Sequence, residues 1–272
     1  MGGIEKKKIR TGILIVPPVL LLIAFGPPAI FSLMVLAATF LGLHEFYNLA
    51  LPHSRWIERF MGTGLGLILS AVISFGDANL ALPFFVLLLV LLSIFFMATS
   101  KNLLLTISNM GSTLFGILYI AFLLSYISLI RNMEGGRQWA LFLVSTVWAG
   151  DISAFLSGSL FGKHKLYPRI SPRKTYEGLA GAIFGSILVA LAFSLLFMPR
   201  LDSSICMLLA VGLGVLGQLG DFTESMLKRS AQVKDSGSLI PGHGGMLDRL
   251  DSFLFSSPFL YYSLLHLFKE TL

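Results

Sequence analysis

The sequence predicts an all-α, polytopic integral membrane protein, a bundle of about nine transmembrane helices with a cytoplasmic N-terminus. Hydrophobic residues make up 55% of the 272 residues and charged residues only 12%, and the mean hydropathy is +0.82. A soluble domain carries about 25% charged residues, so this chain lacks the polar surface that a water-soluble fold needs. Its single cysteine, Cys206, excludes an internal disulfide scaffold.

Nine apolar segments approach the length that a membrane-spanning helix needs, which is about 20 residues. Short polar connections separate them, and we find no internal repeat and no soluble domain. In chain order the predicted spans are 11–25, 28–43, 60–75, 81–98, 110–130, 139–160, 179–198, 201–227 and 250–268.

Lysine and arginine are distributed unevenly between the two sets of connections. If the helices alternate in direction, sixteen of the twenty Lys and Arg residues fall on the side of the N-terminus. Basic residues are retained on the cytoplasmic side of membrane proteins, so we expect the N-terminus inside and the C-terminus outside. This bias also accounts for the net charge of +6, and we expect no nucleic acid as a partner.

Ionisable residues within the predicted helices lie mainly in the second half of the chain. Such residues are costly in a bilayer and usually functional. Asp151 lies within the sixth segment and Asp221 late in the eighth. We therefore expect one continuous membrane domain, with scaffold helices at 1–137 and catalytic helices with two cytoplasmic loops at 138–272. For Asp151, a direct role and a buried ion pair both remain open.

The first of the two loops combines hydroxyl groups with basic residues. Ser171, Arg173 and Lys174 offer the point charges and hydrogen-bond donors that suit a phosphate. Thr175 is placed to cap the next helix. A basic loop that only fixes the membrane topology is the alternative interpretation.

The second cluster begins in the eighth segment and continues into the ninth. Asp221, Ser225 and Lys228 follow i, i+4, i+7 spacing and share one helix face. Asp248 and Asp251 are three residues apart at the start of the next helix, so they point the same way. The glycine-rich loop between the two helices can bring backbone N–H groups close to an anion.

Three carboxylates of this cluster, Asp221, Asp248 and Asp251, are predicted to hold Mg²⁺. A set of carboxylates without sulfur ligands suits a hard cation. Neighbouring Lys and Arg side chains would neutralise phosphate charge, as enzymes of phosphoryl and nucleotidyl transfer do. Plain salt bridges between these carboxylates and the basic residues, around a flexible glycine turn, are the alternative.

The residues of this cluster also carry a family resemblance. The runs SMLKR at 225–229, KDSG at 234–237 and IPGHGGMLDRLD at 240–251 resemble the signature of the phosphatidate cytidylyltransferases (CDP-diglyceride synthases). The runs FGKHKL at 161–166 and ISPRKTYEG at 170–178 are similar to that family as well. The resemblance covers about residues 148–255, whereas the N-terminal half matches only as hydrophobic helices.

The resemblance implies the transfer of CMP from CTP to phosphatidic acid, which gives CDP-diacylglycerol and pyrophosphate in an Mg²⁺-dependent reaction. CTP would come from the cytoplasm and the lipid from the bilayer, so the site is expected at the cytoplasmic face of the plasma (inner) membrane. The expected catalytic residues are Asp221, Lys228, Asp248 and Asp251, and the expected substrate-binding residues are Ser171, Arg173, Lys174, Ser225, Arg229, Lys234, His243 and Arg249.

Two other functions use much of the same chemistry. A CTP-dependent lipid kinase needs the same metal and cations, and in an ion or anion transporter Asp151 and Asp221 would mark an ion path. Against a transporter, the first half of the chain has no matching polar set and we find no inverted repeat. A second cation beside Mg²⁺ and a homodimer are both left open.

Overall fold

The computed structural model describes residues 16–52, 56–76, 80–199, 201–237, 239 and 244–267. Within these ranges the fold consists of helices and one short β-hairpin. The elements are α1 (Val16–Phe25), α2 (Pro28–Ala50), α3 (Trp56–Phe75), α4 (Ala81–Thr99), α5 (Leu103–Asn132), α6 (Gly136–Phe161), β1 (Lys165–Tyr167), β2 (Ser171–Thr175), α7 (Tyr176–Phe197), α8 (Ser203–Ser230) and α9 (Leu247–Leu267).

The predicted fold class, an all-α polytopic membrane bundle, is confirmed. Each of the nine predicted spans corresponds to one helix of the described ranges, and α2 to α8 are long and apolar enough to cross a membrane. Several helices are longer than predicted, because their ends carry polar residues that a hydropathy criterion leaves out. Helix α5 begins at Leu103 and contains a π-helical turn at Ile117–Phe122.

The helix ends gather into two groups, as alternating helices require. At one end, which we call the hairpin end, Arg229 at the end of α8 donates to the carbonyl oxygen of Ile170 at 3.3 Å. At the opposite end, Arg131 donates to the carbonyl oxygen of Gly26 at 2.8 Å and Asn132 to that of Ser74 at 3.1 Å. Which end faces the cytoplasm stays a prediction.

The basic loop between α6 and α7 folds as an antiparallel hairpin of β1 and β2. Its second strand leads directly into α7, and the Thr175 hydroxyl accepts a hydrogen bond from Gly178 N at 3.1 Å, which is the predicted cap. Glu177 in the first turn of α7 lies 2.7 Å from Nδ1 of His164. These contacts hold the hairpin against the helix end.

The core lies mainly between α2, α5, α6, α8 and α9. A second apolar cluster joins α3, α4 and α5. On α4, large side chains such as Leu82 and Met97 are exposed, as expected for a helix that faces lipid. The helices that carry the polar residues therefore occupy the centre of the bundle.

Small residues let α6 and α7 approach closely. A Cβ atom added to Gly185 on α7 would collide with the side chain of Ser153 and would lie 3.0 Å from the carbonyl oxygen of Ala149, both on α6. Gly181 meets Ser157 in the same way one turn earlier. Small side chains at such positions are a common means of packing helices in membranes.

Gly185→Ala is expected to destabilise the protein by about 1–3 kcal/mol, because the added methyl group has to push α6 and α7 apart. The matched control is Gly64→Ala on α3, where an added Cβ meets nothing within 4 Å and helix propensity favours alanine. Thermal unfolding of the two variants in detergent measures the change in stability. Equal unfolding temperatures for the two variants would contradict the close packing.

Candidate functional site

Three carboxylates from α8 and α9 come together near the hairpin end. Oxygen atoms of Asp221, Glu224 and Asp251 all lie within 4.8 Å of one another. Asp221 and Glu224 are three residues apart on α8, so they share a face, and α9 packs against that face. A Cβ at Gly220 would collide with the carbonyl oxygen of Asp251, so glycine permits this close approach.

The chemistry of this acidic cluster fits a divalent metal ion. Glu224 is completely buried, and in the described part of the chain its Oε1 atom has no hydrogen-bond partner. Burying several carboxylates together is costly unless a cation compensates their charge. Oxygen donors alone, without sulfur or imidazole, are the ligands that Mg²⁺ prefers.

Lys228 joins the acidic cluster to Asp248. Its ammonium group contacts the Glu224 carboxylate one helical turn earlier and lies 2.5 Å from Oδ1 of Asp248. The other oxygen of Asp248 accepts hydrogen bonds from the backbone N–H groups of Ser236 at 3.0 Å and Gly245 at 2.8 Å. Asp248 therefore faces the α8–α9 loop, whereas Asp251 lies in the cluster.

Lys174 connects the hairpin to the same cluster. Its Nζ atom lies 2.7 Å from Oδ2 of Asp221 and 4.1 Å from the centre of the Phe222 ring. On the same face of α8, the Ser225 hydroxyl lies 3.4 Å from Oδ1 of Asp221. Lys174 of the hairpin and Lys228 of α8 thus contact one set of carboxylates.

Asp151 on α6 belongs to the same region, one layer deeper in the bundle. Its Oδ1 atom accepts hydrogen bonds from Gln218 Nε2 and from the Ser252 hydroxyl, both at 3.2 Å. These donors lie on α8 and α9, next to Asp221 and Asp251. Asp151 thereby links three helices beneath the acidic cluster.

The other predicted site residues lie around this group with different exposure. Ser171 is half-buried on β2, whereas Arg173, Arg229, Lys234 and Arg249 are exposed. His243 lies outside the described residues. The predicted metal set is brought together in part, since Asp221 and Asp251 are in one cluster and Asp248 is joined to it through Lys228. The roles of all these residues stay predictions.

Two buried glutamates of this region were outside the predicted set. Glu224 directly precedes the SMLKR run at 225–229 and follows Asp221 by three residues, a spacing that places both side chains on one face of α8. Glu45 on α2 is only 7% exposed, and its carboxylate contacts the α8–α9 loop. A glutamate within an apolar segment is itself a signal in a membrane protein, and that signal could have identified Glu45.

Comparison with known proteins agrees with the signature. The model of the cytidylyltransferase family matches residues 6–268, which is nearly the whole chain. The chain belongs to the cytidylyltransferase family. This match includes the N-terminal helices, which the signature runs alone do not cover.

Relatives of this family member include proteins named phosphatidate cytidylyltransferase. One from Bacillus subtilis (strain 168) is 42% identical over 160 residues, 58% of this chain and 60% of the relative. One from Staphylococcus aureus (strain COL) is 47% identical over 127 residues, 46% of this chain and 48% of the relative. The alignments thus span between about half and three fifths of the length of these relatives.

Removing one carboxylate of the acidic cluster is expected to weaken metal binding by about tenfold or more. Glu224→Gln and Asp251→Asn each take one negative charge from the cluster without changing its shape. Mn²⁺ binding, followed by electron paramagnetic resonance of the purified protein, measures the effect. Asp202→Asn is the control, since Asp202 caps the N-terminus of α8 at the opposite end. Equal Mn²⁺ affinity in all three variants would show that the acidic cluster is not the metal site.

Proposed function

We propose that this member of the cytidylyltransferase family is a phosphatidate cytidylyltransferase, which transfers CMP from CTP to phosphatidic acid. The observation that supports it best is the acidic cluster of Asp221, Glu224 and Asp251 with Lys174 and Lys228 bound to its edges. This group can hold a metal ion and bind phosphates at one end of a membrane bundle. The names of the relatives provide the substrate pair.

In the proposed reaction, a phosphate oxygen of phosphatidic acid attacks the α-phosphorus of CTP. A new P–O bond forms, the bond from the α-phosphorus to the oxygen that bridges to the β-phosphate breaks, and pyrophosphate leaves with that electron pair. The nucleophile is already an anion, so no strong general base is required. Catalysis therefore depends on holding two anionic groups together and stabilising the charge of the leaving pyrophosphate.

The side chains of this chain divide that task by charge. Asp221, Glu224 and Asp251 would hold the ion, and Mg²⁺ when bound supplies positive charge to the phosphate oxygens. Lys174 and Lys228 lie at the edge of the cluster, where they can exchange a carboxylate contact for a phosphate. The hairpin and the segment from α8 to α9 carry further groups that can bind the triphosphate or the lipid phosphate, namely the cations Arg173, Arg229, Lys234 and Arg249 and the hydroxyls of Ser171 and Ser225.

A groove at the hairpin end offers a route for the lipid. It has a volume of about 880 Å³ and lies between the ends of α2 and α8 and the first turns of α5. Phe46, Phe115 and Leu227 provide apolar walls, and Ile107 on its rim is 85% exposed. Leu227 and Ser230 in this wall belong to the same last turns of α8 as Lys228, so the groove lies at the same end of α8 as the acidic cluster.

The active site is proposed to face the cytoplasm, where CTP is found, with the protein in the plasma membrane. The described basic residues support this orientation. Lys101, the basic residues of the hairpin and those at the end of α8 lie at the hairpin end, whereas Arg131 and Arg137 lie at the other. A homodimer and a second cation remain predictions.

Incubation of the purified protein with labelled CTP tests the reaction. Label on the α-phosphate is expected to enter the lipid-extractable fraction only when phosphatidic acid and Mg²⁺ are both present, with release of pyrophosphate. A lipid kinase would instead transfer label from the γ-phosphate and release CDP. Label in lipid from γ-labelled CTP, with none from α-labelled CTP, would therefore support the kinase and reject the cytidylyltransferase.

Asp248→Ala is expected to lower turnover by about 10- to 100-fold, a loss typical of a removed partner of a metal site. The substitution leaves Lys228 without its 2.5 Å partner and frees the N–H groups of Ser236 and Gly245. Initial rates at saturating CTP and phosphatidic acid measure the loss of turnover. Near wild-type turnover would remove Asp248 from the site.

Cysteine labelling tests the orientation. Lys163→Cys in the hairpin loop and Glu134→Cys at the opposite end are both exposed positions, and native Cys206 is buried. In intact bacterial cells, a membrane-impermeant maleimide is expected to label Glu134→Cys and not Lys163→Cys. The reverse pattern would place the proposed active site outside the cell.

A further inference from the structure

Glu45, in the N-terminal half of the chain, contacts the loop between α8 and α9 (the signature loop, 231–246). It lies near the end of α2, where its side chain is 7% exposed. Its Oε1 atom accepts a hydrogen bond from Met246 N, and its Oε2 atom accepts one from Leu247 N, both at 2.9 Å. The Ser236 hydroxyl lies 2.9 Å from Oε2 as well.

These contacts fix the beginning of α9. The first N–H groups of a helix have no partner within the helix, and a negative charge placed there is favourable. Glu45 supplies that charge from another helix, about two hundred residues earlier in the chain. Asp248 lies one residue after Leu247 and Asp251 one turn later, so their position follows the position of this helix end.

Two glycines of the signature loop surround the same carboxylate. A Cβ atom at Gly237 would lie 2.6 Å from Oε1 of Glu45, and one at Gly245 would collide with the carboxylate and with the Ser236 hydroxyl. Any larger residue at either position would displace the carboxylate or the loop. The anion that the glycine-rich loop encloses here is therefore a carboxylate of the protein itself.

Ser236 couples Glu45 to Asp248. Its hydroxyl lies 2.9 Å from Oε2 of Glu45 and 2.9 Å from Oδ2 of Asp248. A single hydroxyl proton can serve only one of the two carboxylates at a time, so a change at one alters the hydrogen bonding of the other. A displacement of Glu45 would thus be transmitted to Asp248 and to its partner Lys228.

We propose that Glu45 is a positioning residue, which holds the start of α9 and the Ser236 hydroxyl so that Asp251 stands in the acidic cluster and Asp248 stays in contact with Lys228. This inference rests on the proposed cytidylyltransferase function for its kinetic consequence. It gives α2 a defined part in the site, although none of its side chains needs to touch a substrate.

Glu45→Gln tests the proposal with little change in size. One amide oxygen cannot replace two carboxylate oxygens, and the NH₂ group opposes the backbone N–H donors. We expect kcat to fall by about 10- to 100-fold, as for residues that orient metal ligands, and the Mg²⁺ concentration for half-maximal rate to rise. Hydrogen exchange of the peptides that cover 235–237 and 244–248 is expected to accelerate while the rest of the bundle keeps its protection.

The matched control is Glu58→Gln. Glu58 is a glutamate on α3 with 6% exposure, and its carboxylate accepts a hydrogen bond from Asn109 on α5. This variant is expected to leave the Mg²⁺ dependence and the exchange of the loop unchanged. If both variants shift these readouts alike, Glu45 only stabilises the fold and the positioning role is overturned.

Hydrogen exchange separates this inference from the proposed function, because it needs no substrate. Wild-type protein that transfers no CMP would overturn the function, while the exchange of the loop would still decide for or against Glu45. Should Glu45→Gln yield no folded protein, Ser236→Ala provides the second test. If kcat, the Mg²⁺ dependence and the hydrogen exchange of the loop are unchanged in Ser236→Ala, the coupling of Glu45 to Asp248 is contradicted. A lower kcat, a higher Mg²⁺ requirement and faster exchange of the loop, as expected for Glu45→Gln, would support the coupling.

Discussion

The burial of several carboxylates between α8 and α9 is the constraint on which the rest of the site depends. Like charges in a medium of low polarity repel strongly, so each carboxylate needs nearby positive charge or N–H donors. Lys174 of the hairpin and Lys228 of α8 provide positive charge. The backbone N–H groups of Ser236 and Gly245, in the loop between α8 and α9, provide hydrogen-bond donors. These elements converge because each of them compensates part of that charge.

The same arrangement suits substrates that carry negative charge. The lysines that neutralise carboxylates in the free protein can also approach phosphates, and the acidic cluster offers a place for a cation between them. Because the charged groups lie at one end of the bundle, both proposed substrates, a water-soluble nucleotide and a membrane lipid, would have access to them. The deeper residues, Asp151 with Gln218 and Ser252, tie the helices together beneath the cluster.

The N-terminal helices contribute more than apolar surface. Tyr47 donates to the carbonyl oxygen of Thr113 at 2.8 Å, and Asn109 donates to Glu58 at 3.1 Å, so α2, α3 and α5 are bonded to one another near the hairpin end. Glu45 extends from this group to the start of α9. A rigid group of helices can hold a loop in place more accurately than the loop's own residues can, so the predicted scaffold half would also position the loop of the predicted catalytic half.

The sequence by itself determined the fold class and predicted two residues of the acidic cluster, Asp221 and Asp251. Composition required a membrane bundle, apolar runs predicted nine helices, and the spacing of Asp221, Ser225 and Lys228 predicted a shared face. Only the tertiary structure decided which groups meet: Glu224 joins Asp221 and Asp251, and Asp248 turns to the loop. Helical periodicity fixes the direction of a side chain, but its partner depends on how helices distant in sequence pack together, and for that reason the contacts of Glu45 with the α8–α9 loop could not be assigned from the sequence.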